Sequence, residues 1–225
     1  MLPIEFIEQV ERGRCIVFAG PGISAPAADR LGPPGSALLA LELATRLGSQ
    51  LDNYSLPSCA QFYANRRGSH ALKEYVSSRL SNAEYRPSAA QHVLARLPLP
   101  LIVCTAQDGL LLQAFQHNSV GVSGVLPDGT LNFSAERSVV LLYGVVSQPS
   151  TLRLTEDECW QVLRNESKLA LSLRDRADSH TLLFVGHSLN DWYFREFYFS
   201  LRSKTGSDTP RAYFCLLYTS PSPRD

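Results

Sequence analysis

Four short apolar runs, each closed by a glycine or a polar turn, constrain this chain more than any other feature. They are Cys15-Ile16-Val17-Phe18-Ala19, Leu101-Ile102-Val103-Cys104, Val139-Val140-Leu141-Leu142-Tyr143 and Thr181-Leu182-Leu183-Phe184-Val185. They end in Gly20-Pro21-Gly22, Thr105-Ala106-Gln107-Asp108, Gly144 and Gly186-His187-Ser188. Runs so continuously apolar leave no face for water, which predicts strands buried on both sides. Between them the periodicity is helical. Residues 3–12 set Phe6, Ile7 and Val10 at helical spacing behind a proline, and residues 35–47 set Leu38, Leu39, Leu43 and Leu47 along one face before Gly48. Further helices fit 58–66, 69–80, 87–97 and 110–116. Thr155-Glu156-Asp157-Glu158 has the spacing of a capping box and opens a helix to about Asp175; another helix is expected from Asn190 to about Lys204. Pro127-Asp128-Gly129 is a turn with the composition of a hairpin tip, and Ala212-Tyr213-Phe214 begins one more strand.

Such alternation predicts an α/β fold: a Rossmann-like, doubly wound, mostly parallel sheet with helices on both faces and a helical insertion. Ligands of such sheets bind outside the carboxyl ends of the strands. No repeat or low-complexity linker divides the chain, so residues 1–214 are expected to form one domain. Residues 215–225, Cys-Leu-Leu-Tyr-Thr-Ser-Pro-Ser-Pro-Arg-Asp, look like the translation of a sequencing adapter and belong to no expected element of the fold. On that reading the natural sequence breaks off at Phe214 inside a strand, and the natural protein is expected to continue.

The charge balance is 21 Lys and Arg against 21 Asp and Glu, and setting the tail aside leaves it even. An even balance supplies no basic field for a phosphate backbone or an anionic membrane surface, so neither nucleic acid nor membrane is the expected partner. Arg96 interrupts one apolar stretch, and Gly186, His187 and Asn190 end another, short of the roughly 20 residues a membrane helix needs. The acidic N-terminus lacks the basic start of a signal peptide, and a cytoplasmic location is expected. Cys15, Cys59, Cys104, Cys159 and Cys215 form no CxxC pair, which argues against a disulfide framework and a zinc ribbon; no metal is expected.

Gly20-Pro21-Gly22-Ile23-Ser24 stands where missing β-carbons let backbone amides approach a pyrophosphate, with the Ser24 hydroxyl as a further donor. Taken alone it also reads as a tight strand-to-helix turn. Read in order, the four strand ends resemble the sirtuin (silent information regulator) superfamily. Phe18 to Ala27 resembles its Gly-Ala-Gly-x-Ser motif; His92 to Leu97 with Ile102 to Asp108 resembles its Thr-Thr-Asn-x-Asp segment. Leu141-Leu142-Tyr143-Gly144, with Leu152 to Glu156 and Trp160 after it, resembles its Lys-Leu-His-Gly segment and the downstream Thr-x-x-x-Tyr/Trp stretch of the bacterial sirtuin-like branch. Phe184 to Asp191 resembles that branch's Phe-x-Gly-Tyr-Ser-Leu-x-Asp. The absence of zinc-ligand cysteines suits that branch, which lacks the zinc module of protein deacylases.

The resemblance implies an NAD or ADP-ribose-type ligand held by Gly20, Pro21, Gly22, Ile23, Ser24, Thr105, Asp108, Gly144, Gly186, His187 and Ser188, and an ancestral chemistry that cleaves the nicotinamide–ribose bond. It also implies where that chemistry fails. The family's Asn falls on Ala106, which has no polar side chain, and its His falls on Tyr143, whose class titrates near pH 10 and not near 6.5. Losing a positioned base costs roughly 10²–10⁴ in rate. Pro21 removes one N–H from the glycine loop. Such domains often serve in anti-phage defence, fused to ATPase or repeat sensors. Three readings stay open: a nucleotide-binding domain with disabled chemistry, an active NAD hydrolase, and a ligand-free interaction scaffold; a homo-oligomer is compatible with each.

Several residues keep two readings. Asp108 either orients the loop electrostatically or caps the next helix. Asp191 reads as a cap, Ser188 as a ribose contact and His187 as a structural turn residue. His92 reads as a packed helix residue, although His117-Asn118 has the composition of a displaced catalytic pair. The aromatic stripe from Trp192 to Phe199 reads as a helix packing on the sheet, with part of it available to an interface.

Overall fold

The structure, a computed structural model, describes residues 3–27, 30–48, 55–132, 135–164, 168–188, 192–201 and 211–215. Strands β1 (Cys15–Ala19), β2 (Leu101–Cys104), β3 (Ser123–Val125), β4 (Ser138–Leu141), β5 (Thr181–Val185) and β6 (Ala212–Cys215) form one sheet in the order β3-β4-β2-β1-β5-β6. Every pairing is parallel. From β1 the chain first builds outward through β2 toward β4 and β3, then returns to place β5 on the other side of β1. The strand order therefore reverses between β1 and β5, where ligands of doubly wound sheets bind.

Strand periodicity of two divides the buried side chains between two faces. Cys15, Val17, Ala19, Ile102 and Cys104 face one way. They pack against Phe6 of α1 (Ile4–Glu11), Leu94 and Ala95 of α5 (Ala89–Arg96), and Leu111, Ala114 and Phe115 of α6 (Leu110–His117). Ile16, Phe18, Leu101, Val103, Val140, Leu182 and Phe184 face the other way, against α8 (Lys168–Ala177) and Leu201 of α9 (Trp192–Leu201). The helical insertion, α2 (Ser36–Arg46), α3 (Leu56–Arg67) and α4 (Ser69–Leu80), lies between β1 and β2 in sequence. Its own apolar cluster closes on Val146, Leu152 and Leu154 from the segment after β4.

Three expectations change in detail. The turn at Pro127-Asp128-Gly129 forms, with Gly129 N–H donating to Leu126 O at 2.9 Å, but it is no hairpin tip, because β3 and β4 pair in parallel with Ser123 opposite Ser138. Parallel neighbours cannot be joined by a two-residue turn. The helix expected from Thr155 to Asp175 is two helices, α7 (Glu156–Arg164) and α8. They serve different partners: α7 is tied to α3 through Asp157 N–H to Gln61 Oε1 at 3.2 Å, whereas α8 buries Leu169, Leu173 and Ala177 against the sheet. The capping box at its start is present, with Glu158 N–H to Thr155 Oγ1 at 3.3 Å and Thr155 N–H to Glu158 Oε2 at 3.1 Å. The last expected strand reaches Cys215, one residue past the expected boundary at Phe214, and the rest of the tail lies outside the described residues.

Phe18, Phe184 and Phe214 sit in register on β1, β5 and β6. Their rings stack at 4.8 and 4.9 Å, and Tyr198 of α9 meets Phe184 edge-on at 5.5 Å. This ladder carries β6, so truncating its middle ring should be costly. Phe184→Ala is expected to lose about 3–5 kcal/mol, read in urea denaturation as a lower midpoint at unchanged slope.

Candidate functional site

The residues singled out from sequence converge on the carboxyl edge of the sheet. Gly20 to Ser24 follow β1 and include a 3₁₀ turn, Pro21–Ser24; Thr105, Ala106 and Asp108 follow β2; Tyr143 and Gly144 follow β4; Gly186, His187 and Ser188 follow β5. Pro21, Thr105, Tyr143 and His187 are partly exposed, Gly22 and Ser188 are open to solvent, and Gly20, Ile23, Ser24, Ala106 and Gly144 are buried.

The loops after β1 and β5 interlock through backbone. Gly20 N–H donates to Val185 O at 2.8 Å and Gly22 N–H to Gly186 O at 3.0 Å. A β-carbon on Gly20 would stand 2.4 Å from Gly186 O, and one on Gly186, whose φ is +72°, would stand 2.6 Å from Ile23 N. Ile23 N–H turns back to Gly20 O at 3.2 Å and Ala25 N–H to Gly22 O at 3.3 Å. With Pro21 lacking an N–H, the glycines work mainly as a close-packing device, while Gly22 leaves an open surface without a side chain.

Ser24 takes a different place from the one its motif suggested. It is 0% exposed and its hydroxyl accepts from Gln91 Nε2 at 2.9 Å. Asp108 Oδ1 accepts the Leu110 N–H at 2.8 Å and so caps the start of α6. Burial pushes its carboxyl above the ordinary range, opposed by the Leu110 and Ser24 hydrogen bonds and the Arg30 charge. Arg30 itself clasps the far end of the loop, reaching Ser24 O at 3.3 Å, Ala25 O, and Arg86 O at 3.0 Å.

Ala106 and Tyr143 sit on either side of a second clamp. Gln107 Nε2 donates to Tyr143 O and Arg153 O, each at 3.1 Å, and Val146 N–H returns to Gln107 O at 2.8 Å. Gly144 has a φ of +81° and a β-carbon there would lie 2.2 Å from Thr151 O, so the turn after β4 demands glycine. Ala106 is 3% exposed and belongs to the apolar cluster under the sheet. The Tyr143 ring packs on the opposite cluster.

His92, His117 and Asn118 do meet, with Asn118 Nδ2 and His92 Nδ1 at 2.8 Å and the two imidazoles stacked at 6.0 Å. They meet toward the C-terminal end of α6, which runs back from the carboxyl edge toward the amino edge of the sheet. The cluster is therefore away from the site. Asp191 lies outside the described residues, as do the side chains of Trp192, Tyr193, Phe194 and Phe197. Sequence reasoning passed over Gln91, Arg30 and Gln107. Only Gln91 carried a local signal, the Ser88-x-x-Gln91 spacing of a capping box, which forms. Among the described residues no three His, Cys, Asp or Glu side chains stand together as a metal site, and no helix is long and apolar enough to cross a membrane.

A six-stranded parallel sheet with its site at a glycine-locked carboxyl edge defines a Rossmann-like α/β protein. Its family is given by comparison: a profile described as SIR2-like domain matches residues 100–225, more than half of the chain, and the chain belongs to that family. NAD(+) hydrolase ThsA of Acinetobacter baumannii (strain 532279) is 27% identical over 194 residues, covering 82% of this chain. NAD(+) hydrolase ThsA of Cytobacillus dafuensis is 26% identical over 196 residues, covering 83%. The chain spans 38% of the length of each relative.

Burial holds the His187 imidazole down to about 4, so it is neutral at pH 7 and brings no positive charge to the edge. An unfolded histidine titrates near 6.5, so this site contributes stability above about pH 6.5 that is lost as the pH falls toward 4. His187→Gln should therefore lose about 1–2 kcal/mol less than the unsubstituted chain between pH 7 and pH 5, measured by urea denaturation at both values.

Proposed function

We propose that this chain is a SIR2-like module that binds NAD or a related ADP-ribose nucleotide at the carboxyl edge between β1 and β5, and that its nicotinamide–ribose cleavage is disabled. The open Gly22 backbone beside the partly exposed Thr105 and the exposed Ser188 fits close approach by a ribose or phosphate. When bound, NAD supplies the scissile N-glycosidic bond. The chain's residues bind it, exclude water and keep the loops in place.

The observation that carries the disabled reading is the setting of Ala106. It is 3% exposed in an apolar cluster and offers no polar side chain. Tyr143, at the family's base position, packs its ring on the other cluster. The named activity of both relatives supports the second reading, an active NAD hydrolase. We place this chain as the N-terminal module of a larger bacterial defence or signalling protein with an ATPase or repeat partner; the relatives' greater length supports only that it is part of something larger.

Restoring the family's residues tests the assignment. Tyr143→His combined with Ala106→Asn is expected to raise nicotinamide release from NAD by about 10² or more over the unsubstituted chain, followed by proton NMR with a thermal melt to confirm folding. Equal, protein-dependent release by both would establish the active hydrolase instead.

A further inference from the structure

We infer that this edge recognises the riboside part of its ligand while the β1 loop gives a pyrophosphate nothing to bind, and that Pro21 is the residue that sets this specificity. The riboside part rests on the nucleotide-binding reading above; the claim about the loop stands without it.

A phosphate oxygen only accepts hydrogen bonds, so a loop that holds a pyrophosphate must offer it N–H groups or positive charge. Each N–H from Gly20 to Ala25 is already committed. Gly20 and Gly22 donate across to Val185 O at 2.8 Å and Gly186 O at 3.0 Å, while Ile23 and Ala25 donate back to Gly20 O at 3.2 Å and Gly22 O at 3.3 Å. Ser24 is 0% exposed, which keeps its N–H, and its hydroxyl bonded to Gln91 Nε2 at 2.9 Å, out of a ligand's reach. Freeing Gly20 or Gly22 for a ligand would strip Val185 O or Gly186 O of its donor and undo the interlock. That leaves position 21, partly exposed at the start of the 3₁₀ turn, where an N–H would have no partner inside the turn. Proline stands there and has no N–H to give.

Positive charge is committed in the same way. The two terminal nitrogens of Arg30 carry four N–H groups. One nitrogen reaches Leu31 O at 3.2 Å and Arg86 O at 3.0 Å, and the other reaches Ser24 O at 3.3 Å and Ala25 O. The His187 ring, which stands where a β-carbon on Gly20 would point, is neutral at pH 7.

What the edge keeps for a ligand suits a sugar. Thr105 Oγ1 gives its proton to Ala19 O at 3.4 Å, so the partly exposed hydroxyl is left with lone pairs that accept. A ribose hydroxyl can donate to them, whereas a phosphate oxygen meets them as acceptor against acceptor. The open Gly22 backbone adds close contact without charge. The ligand class is therefore an N-riboside, with any phosphates directed to solvent.

Calorimetric titration of NAD and of nicotinamide riboside into the unsubstituted chain and into Pro21→Ala, each at low and high salt, tests this. The unsubstituted chain should bind the two ligands within about threefold of each other, with NAD affinity unmoved by salt. Pro21→Ala, by supplying the missing N–H, should tighten NAD about three- to tenfold and leave the riboside unchanged. NAD bound about tenfold or more tightly than the riboside by the unsubstituted chain overturns the proposal, and so does a Pro21→Ala chain in which both ligands move together or neither moves. Should Pro21→Ala not fold, the comparison of the two ligands on the unsubstituted chain decides. If neither ligand binds, the nucleotide reading and the riboside part fail, and amide NMR with inorganic pyrophosphate decides the loop claim. Unmoved Gly20, Gly22 and Ile23 signals in the unsubstituted chain, with a shift of the amide that Pro21→Ala creates, uphold it; a shift of any of those three signals overturns it, and an unmoved new amide overturns the role of Pro21.

Discussion

Everything at this carboxyl edge depends on how closely the backbone after β1 passes the backbone after β5. Parallel pairing runs to Ala19 opposite Val185, and the next residues are still in backbone contact, Gly20 with Val185 and Gly22 with Gly186. At that separation no β-carbon fits on Gly20, Gly22 or Gly186. The tight pass makes the chain turn at once into a 3₁₀ segment, which buries Ile23 and Ser24 beneath the loop. Ser24 then lies within reach of both α5 and the β2 loop, so one glycine contact fixes the relative placement of three connections.

Much of this was legible in the sequence because the determinants are local. A strand buried on both faces must be apolar throughout, and β1 and β2 carry that signature over their whole length, β5 from Leu182 onward. Thr155 opens a helix that forms with the capping geometry its spacing implies. What stayed hidden was set by distant contacts. Strand β3 has three residues, Ser-Gly-Val, with no periodicity to show, and it exists because β4 pairs with it. The split between α7 and α8 reflects two packing partners, α3 and the sheet, neither of which leaves a mark in the helical pattern. Gln91 bonds a hydroxyl 67 residues away, and no spacing rule reaches that far.

The glycine motif lies at the carboxyl edge where its sequence pattern puts it, but its backbone does a different job. Its sequence suggests bare amides awaiting a phosphate, whereas the Gly20, Gly22 and Ile23 N–H groups are spent on holding the loops together. The same separation of scaffold from chemistry marks the rest of the edge. Gly144 and Gly186 are demanded by backbone geometry, and Asp108 is tied to the start of α6 by its Leu110 bond, so these positions preserve a fold whatever reaction the edge supports. Ala106 and Tyr143 pack on apolar clusters without any such backbone demand. On the proposed function they are the places where family chemistry is lost while the SIR2-like architecture stays.

Equilibrium dialysis of the chain against NAD, with chromatographic recovery of every nucleotide afterwards, tests the central claim most directly. A binding edge with disabled chemistry predicts saturable uptake and full recovery of intact NAD, with uptake abolished in Gly186→Ala, which breaks the interlock. Accumulation of nicotinamide and ADP-ribose in proportion to protein would contradict the claim of disabled chemistry, and the absence of saturable uptake would contradict the nucleotide site itself.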